Sequence, residues 1–405
     1  MMKSKIIAVA LFALTAGGIA FYPALKEVGA VNMAQPDPVQ LPIVTDITQG
    51  MPKVEVVFVL DTTGSMSGLI QASKEKIWSI ATTMAQADPA PEIKMGLVAY
   101  RDRGDDYVTR VVDLSKDLDS VYASLMDFRA AGGGDGPESV NQGLSDAVHK
   151  ISWSQGVDAY RTIFLVGDAP PHMDYQDEMK YPQILELAKQ KGIVVNTIQA
   201  GNSPPTRAVW NKIAMAGQGQ YAQVEQDGNA VAITTPFDER LARLSRRLDE
   251  TRLYYGSEDV LEEKRRKQEA AEKLHESASL ASRARRATFN ASKSGRSNLY
   301  GDSELVDDVT SGRIELDAIK KEHLPASIRA MAPEEQSSLI SDKAEQRKVL
   351  QEQISDLSAK RDEYLRQEVE KSGGAKGSLD HSLYSAIKDQ AARSGIHYEA
   401  VAPAY

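Results

Sequence analysis

The sequence predicts an α/β fold: a doubly wound, mostly parallel six-stranded sheet with one antiparallel edge strand, followed by a charged α-helical C-terminal region. Two observations support this prediction. Between residues 53 and 255, continuous apolar runs alternate with amphipathic helical patterns, as in parallel sheets that helices cover on both faces. After Gly256 the chain becomes rich in Glu, Lys, Arg, Gln and Ala and poor in aromatic residues, which is typical of exposed helices.

Residues 1–30 have the pattern of an export signal. Lys3 and Lys5 precede an apolar stretch that begins at Ile6, and small residues follow as cleavage sites. The apolar stretch is also long enough for an uncleaved membrane anchor. We therefore expect a protein outside the cytoplasm, periplasmic or secreted, and either released or tethered by this segment.

The sheet region follows a linker, residues 31–52, which contains four prolines and is expected to be extended. Its strands are predicted by six apolar runs: VEVVFVL, IKMGLVAYR, YVTRVVDL, RTIFLVGD, GIVVNTIQA and QYAQV. The connection between the second and third runs is too short for a crossover helix, so these two strands should form an antiparallel hairpin at one edge. Residues 237–256 place leucines on one helical face, and this helix is expected to close the domain.

The C-terminal region divides into two predicted parts. Residues 256–300 contain a charged helix and, from Ser282, a basic, small-residue-rich segment that we interpret as a flexible break. Residues 301–405 form a helical tail, in which 333–371 carries an apolar seam that is interrupted by charged residues such as Arg347. This seam favours a solvated helical hairpin or a weak coiled coil, and self-association through these helices is one expectation.

Composition excludes some classes of function. The formal net charge of −9 argues against a general nucleic-acid binder, because such proteins present excess basic surface. The chain has no cysteine, which excludes a disulfide scaffold and a thiolate metal site.

Oxygen-bearing side chains follow three of the predicted elements. Asp61, Thr63 and Ser65 come after the first strand in the pattern D-x-T-x-S. Asp135 lies in the glycine-rich loop RAAGGGDGPESV, and Asp168 closely follows the fourth strand. Ligands of doubly wound sheets bind beyond the carboxyl ends of the strands, so these side chains are expected to converge. Carboxylates and hydroxyls are hard ligands that suit Mg²⁺, with Mn²⁺ or Ca²⁺ as alternatives.

This arrangement resembles the von Willebrand factor type A domain, whose metal-ion-dependent adhesion site has D-x-[ST]-x-S after the first strand and an Asp after the fourth. The resemblance covers about residues 53–250. It implies a Rossmann-like sheet and a module that binds an acidic group of a protein, or of another extracytoplasmic ligand, through its metal ion.

One position departs from the common pattern of that family. Where many members have a threonine, this chain has Asp135, similar to a bacterial subset with the loop Gly-Gly-Gly-Asp-x-Pro-Glu and a helical C-terminal tail. We expect a third carboxylate to hold the cation more firmly and to weaken the grip on an acidic partner. Glu138 is the alternative ligand, although it is also well placed to begin the next helix.

Structural explanations compete with these functional ones. Asp61 could simply cap the helix that follows it. Asp102, Asp105 and Asp106 lie in the predicted hairpin turn and are interpreted as turn residues, and His172 as a loop-surface histidine after two prolines.

No enzyme activity is expected. A metal-dependent phosphohydrolase with Asp61 as nucleophile is the first alternative, but Thr63 stands where such an enzyme needs its acid or base. No Walker A loop and no G-x-S-x-G motif occur in the sequence. A structural envelope protein that acts through its helical tail is the second alternative.

Overall fold

A computed structural model describes residues 51–134, 136–156, 159–228, 233–371 and 378–399. The export signal or anchor predicted at residues 1–30 lies outside these ranges, as does nearly all of the linker predicted at 31–52. From Met51 onward, the chain groups into one compact unit. Within the described ranges, every helix is too short or too polar to span a lipid bilayer.

Six strands within the described ranges form one sheet in the order β3-β2-β1-β4-β5-β6. Neighbouring strands are parallel except for the pair of β2 and β3, which is antiparallel and places β3 at an edge. The fold class and the edge hairpin predicted from the sequence are therefore confirmed. The strands are β1 Lys53–Asp61, β2 Glu92–Tyr100, β3 Thr109–Ser115, β4 Ala159–Gly167, β5 Ile193–Ala200 and β6 Gln218–Val224.

Strand β1 runs through the centre of the sheet and is buried on both faces. Val56, Phe58 and Leu60 belong to one apolar cluster, whereas Val57 and Val59 belong to another. Successive side chains of a strand point to opposite faces, so a strand between two helical layers needs apolar residues at most of its positions. This explains the continuous apolar run in the sequence.

Helices cover both faces of the sheet. The helices up to residue 216 lie between strands in the sequence. They are α1 Ser67–Met84, α2 Leu118–Asp127, α3 Val140–His149, α4 Tyr181–Gln190 and α5 Pro204–Ala216. The later helices are α6 Asp238–Asp249, α7 Glu258–Ser277, α8 Leu280–Ala291, α9 Arg296–Tyr300, α10 Leu305–Thr310, α11 Pro333–Lys371 and α12 Leu379–Ala391.

Helix α6, which the sequence predicts to close the domain, packs against helices from later in the chain. Its leucines, Leu241, Leu244 and Leu248, pack with Ala284 and Ala287 of α8 in a separate apolar cluster to which α11 also contributes. The helix is amphipathic, as its sequence indicates, but its apolar face meets helices from later in the chain. Periodicity predicts a buried face without identifying what covers it.

The prediction of a flexible break from Ser282 is wrong. Helices α8 and α9 together occupy most of that segment, and Arg285 and Arg286 of α8 are almost completely buried. Arg286 donates hydrogen bonds to Asp119 of α2 and to Asp249 of α6. A basic segment can thus be core when carboxylates elsewhere in the chain pair with its arginines.

Helix α12, near the end of the chain, packs onto the sheet. Leu383, Tyr384 and Ile387 belong to the same buried cluster as Phe58 and Leu60 of β1. The C-terminal helices are therefore not a solvated tail, and the last of them completes the apolar core on one face of the sheet.

Polar contacts also fix α12 in its position. Gln390 exchanges hydrogen bonds with Asn196 of β5 and accepts one from Tyr160 of β4, all in buried surroundings. At the other end of the helix, the buried Asp380 lies 2.8 Å from the ammonium of Lys76 on α1. Because buried polar groups are costly unless they are paired, these contacts favour one register of α12 against the sheet.

Candidate metal centre

Two of the predicted ligands, Asp61 and Asp168, lie at the carboxyl edge of the two central strands. Asp61 is the last residue of β1, and Asp168 directly follows β4. The two strands are parallel and paired through Leu60 and Val166, so their carboxyl ends meet at the same edge. This is the part of a doubly wound sheet where ligands bind.

The loop after β1 brings the three residues of the D-x-T-x-S motif together. The main-chain N–H and the hydroxyl of Thr63 both donate to Oδ1 of Asp61, at 2.9 and 2.6 Å. The hydroxyls of Thr63 and Ser65 are 3.4 Å apart. Asp61 and Thr63 are buried and Ser65 is exposed, so the motif leads from the core to the surface.

Asp61 does not cap the helix that follows it. The residue before α1 is Met66, and no side chain caps that helix with a hydrogen bond. Oδ2 of Asp61 is buried and has no hydrogen-bond partner among the described residues. Burial raises the pKa of Asp61 to about 7 against the hydrogen bonds from Thr63, and the charge of Asp168 raises it further. The explanation of Asp61 as a helix cap therefore fails, and the burial of its Oδ2 without a partner in the described chain requires a different explanation.

Glu138 supplies a further carboxylate beside this site. It is 4% exposed, and its Oε2 lacks a hydrogen-bond partner within the described chain. Burial raises its pKa to about 9, and the charges of Asp61, Asp102, Asp105 and Asp168 contribute. The sequence left Glu138 as an alternative ligand, and the structure places its carboxylate in the electric field of two predicted ligands.

The glycine-rich loop reaches the site in a conformation that requires glycine. Gly132 and Gly133 have φ angles of +76° and +78°. A side chain at Gly132 would overlap the carboxylate of Asp105, and one at Gly133 would lie 3.1 Å from Cβ of Thr63. Left-handed backbone and close approach are the two situations that favour glycine. Asp135, the ligand predicted at the tip of this loop, lies outside the described residues.

Asp102 and Asp105 do more than form a turn, which corrects the interpretation from the sequence. Asp105 accepts a hydrogen bond from the main-chain N–H of Gly133 at 3.1 Å. Asp102 accepts from the hydroxyl of Ser139 at 2.9 Å and from that of Tyr175 at 3.1 Å. These carboxylates connect the hairpin to the glycine-rich segment and to the loop after β4.

The interpretation of His172 as a surface residue is also wrong. The side chain is buried and stacks on the ring of Tyr175, with the ring centroids 4.1 Å apart. Its Nδ1 lies 2.8 Å from Asp174, and its Nε2 lies 3.3 Å from Asp102. These contacts stabilise the loop after β4, and His172 is not one of the predicted metal ligands.

Gly167 leaves room for the carboxylate of Asp61. A Cβ atom at this position would lie 2.4 Å from the hydroxyl of Tyr100 and 2.9 Å from Cβ of Asp61. The hydroxyl of Tyr100 is itself buried without a hydrogen-bond partner in the described structure. Burial raises the pKa of Tyr100 well above its usual value, and Asp61, Glu138 and Asp168 add to the effect.

No three histidine, cysteine, aspartate or glutamate side chains in the described ranges are arranged to hold a metal by themselves. The predicted centre is of a different kind, because Thr63 and Ser65 contribute hydroxyl oxygens and Asp135 lies outside those ranges. Its residues nevertheless fit a hard cation: the donors are all oxygens, and buried carboxylate oxygens of Asp61 and Glu138 lack partners within the described chain.

The family model of the von Willebrand factor A domain matches residues 55–235. Residues 55–235 are a von Willebrand factor A domain. The resemblance inferred from the D-x-T-x-S motif and the later strand-end aspartate is therefore confirmed. Domains of this family generally mediate protein interactions through a metal site, and the family match therefore indicates metal-dependent binding.

Among curated proteins, the chain is similar to the alpha-protein kinase vwkA of Dictyostelium discoideum. The two are 28% identical over 122 residues, which is 29% of this chain. The matched stretch spans about a fifth of that relative, 19% of its length.

Two solved proteins also match parts of the chain. Proximal thread matrix protein 1 from the mussel byssus, with a zinc-occupied MIDAS motif, is 16% identical with a TM-score of 0.34; the match covers 44% of this chain and 43% of that one. The VWA domain of SpRpn10 is 14% identical with a TM-score of 0.33, over 44% of this chain and 89% of that one.

Proposed function

We propose that the chain is a binding module that recognises a partner protein through a divalent cation held by Asp61, Thr63, Ser65, Asp168 and the adjacent loop. The observation that carries this proposal is the Asp61 carboxylate, which is 1% exposed and has an Oδ2 without a partner among the described residues. An isolated carboxylate is costly to bury, and its cost falls when a cation binds it.

The charges around Asp61 support the same conclusion. Burial raises the pKa values of Asp61 and Glu138, the charge of Asp168 adds to both shifts, and the charge of Asp61 adds to that of Glu138. A cation bound among these carboxylates would offset this repulsion. Mg²⁺ is the cation that we propose, because it suits carboxylate, hydroxyl and water ligands, with Mn²⁺ and Ca²⁺ as the alternatives.

Asp135 and Glu138 are the candidate ligands from the glycine-rich segment. Glu138 is supported by its burial and by its oxygen that lacks a partner in the described structure. Asp135 is supported by the sequence alone, through its place in the loop Gly-Gly-Gly-Asp-x-Pro-Glu. When bound, the cation would supply a Lewis-acidic position for an oxygen of the partner, and an acidic side chain is the group that we propose.

The setting and the absence of catalysis are proposals too. Lys3, Lys5 and the apolar stretch after them support a location outside the cytoplasm, with or without a membrane tether. A binding role without catalysis is supported by Thr63, which occupies the position where a phosphohydrolase of this type would carry its acid or base. Mg²⁺-dependent hydrolysis of phosphomonoesters that is lost in Asp61→Ala would overturn that part.

Metal binding can be tested without knowing the partner. Isothermal titration of the purified full chain with MgCl₂ and MnCl₂ should show one site, and the thermal midpoint should rise with metal concentration, because a ligand of the native state stabilises it. Asp61→Ala should abolish both signals. Asp342→Ala, at an exposed position on α11, is the matched control and should behave like wild type.

Partner binding is tested next. An envelope extract is passed over immobilised wild type and Asp61→Ala, with Mg²⁺ or with EDTA. We expect a protein that wild type retains only with Mg²⁺ and that Asp61→Ala does not retain. Wild type that binds neither Mg²⁺ nor Mn²⁺ would refute the proposal.

A further inference from the structure

The side chain of Gln226 reaches the predicted metal site from beyond the edge strand β6. It lies in the turn after β6, and β5 separates β6 from β4. Its amide nitrogen is 2.8 Å from Oδ2 of Asp168 and 3.2 Å from the main-chain oxygen of Ser65. One side chain thus connects the loop after β4 with the loop after β1.

The chemistry of the amide suits this double contact. The NH₂ group of glutamine has two hydrogens, one for each acceptor. A hydrogen bond to Oδ2 fixes the rotation of the Asp168 carboxylate and leaves its other oxygen available to a cation. Since the amide is neutral, Gln226 orients Asp168 without cancelling the negative charge that a cation needs. A lysine at this position would supply a donor but would also compete with the cation.

The surrounding backbone leaves space for Gln226 and holds its turn in place. Gly201 has a φ of +68°, and a Cβ there would lie 2.3 Å from Oε1 of Gln226. The N–H of Gly201 donates to the carbonyl of Val224 at 2.9 Å, which fixes the end of β6. Gly201, which directly follows β5, is therefore a glycine at the point where the main chain comes closest to the side chain of Gln226.

A second contact holds the same turn from the other side. A Cβ on Gly68, near the start of α1, would lie 3.0 Å from Cα of Asp227, so the turn packs directly on that helix. The N–H of Leu379 in α12 lies 3.4 Å from the carbonyl of Gly228. The position of Gln226 is therefore defined by β5, α1 and α12 together.

We propose that Gln226 is a positioning residue of the metal site, which orients Asp168 and the D-x-T-x-S loop for the cation. This inference rests on the proposed function, because it assigns a role to Gln226 only if Asp168 and Ser65 bind a metal. Partners beyond the direct ligands orient those ligands in metalloproteins, and their loss typically weakens metal affinity about 10- to 100-fold.

The test compares Gln226→Leu with Gln223→Leu in the full chain. Leucine keeps similar volume and removes both hydrogen bonds of Gln226. Gln223 is an exposed residue of β6, and its side chain pairs with Arg207 and not with the site. The readouts are the Kd for Mg²⁺ and Mn²⁺ by isothermal titration and the thermal midpoint in EDTA.

We expect Gln226→Leu to raise the Kd for Mg²⁺ about 10- to 100-fold, to keep the wild-type thermal midpoint in EDTA, and to lose part of the midpoint rise that metal produces. Gln223→Leu should match wild type in every readout. Unchanged metal affinity in Gln226→Leu would overturn the inference. It would also be overturned if the thermal midpoint of Gln226→Leu fell below that of wild type by as much in EDTA as in Mg²⁺, because the role of Gln226 would then be structural. Failure of wild type to bind either metal would instead refute the proposed function.

Discussion

Arg286 offers a direct test of how the helices after residue 256 are joined to the sheet region. Its guanidinium is fully buried and lies 2.6 and 2.5 Å from the two carboxylate oxygens of Asp119, which is itself fully buried on α2. The same guanidinium donates to Asp249 at 2.8 and 3.2 Å. Arg286→Met keeps most of the side-chain volume and removes the charge.

The expected cost follows from what the substitution leaves behind. Asp249 keeps Arg252 and His275 as neighbours, at 3.5 and 2.7 Å. Asp119 loses both of its hydrogen bonds from Arg286 and remains buried. Breaking one side of a buried ion pair typically costs about 3–5 kcal/mol, so the free energy of unfolding in urea should fall by about that amount.

The effect should depend on pH. Burial by itself would raise the pKa of Asp119, but the charge and hydrogen bonds of Arg286 outweigh it and hold the pKa below the usual 3.8. A depressed folded-state pKa stabilises the protein above the unfolded-state pKa, and this contribution is lost as the pH falls through the folded-state value. In Arg286→Met the Asp119 carboxyl can be neutral in the fold, so the difference from wild type should shrink below about pH 4.

The control is the double variant Arg286→Met/Asp119→Asn, which removes the unpaired charge and should recover part of the lost stability. The reasoning would be refuted if Arg286→Met cost less than about 1 kcal/mol, the range of an exposed pair. It would also be refuted if the double variant were no more stable than the single one at pH 7.

Three further predictions concern the metal site and the last helix. Gly167→Ala should weaken Mg²⁺ binding in a titration and cost about 1–3 kcal/mol, because the new Cβ would lie 2.9 Å from Cβ of Asp61; equal Kd values would contradict this. Gln390→Leu should lower the free energy of unfolding in urea by about 1–3 kcal/mol, because it removes the acceptor of the Tyr160 hydroxyl and one of the partners of the buried Asn196 amide; an unchanged free energy would contradict this. Asp135→Thr should bind Mg²⁺ more weakly than wild type, and equal or tighter binding would disprove the third-carboxylate hypothesis.

Much of the sheet could be predicted because buried strands have a local signature. The apolar run from Val54 to Leu60 and the one from Ile163 to Val166 meet helices on both faces, so nearly every position must be apolar. The convergence of Asp61, Thr63 and Ser65 was also predictable from local sequence, since a short motif directly after a central strand must lie at the carboxyl edge of the sheet.

The errors came from contacts between distant parts of the chain. Arg286 looked solvated in the sequence because its carboxylate partners are far away in the chain, with Asp119 167 positions distant. His172 looked exposed because Asp102, which lies beside it in the structure, belongs to the hairpin and approaches only when that hairpin and the loop after β4 meet. The amino-acid composition of a short stretch of sequence does not show which residues elsewhere in the chain will pair with it.

The docking of the last helix onto the first strands has a consequence for the order of folding. The hydroxyl of Tyr398 lies 3.4 Å from the carbonyl of Met84, and the two residues are 314 positions apart. During synthesis, the apolar face of the sheet that α12 covers stays exposed until Leu379–Ala391 has left the ribosome. Long-range closure of this kind slows folding and leaves intermediates with exposed apolar surface, so nascent chains that stop before α12 should depend on chaperones or aggregate.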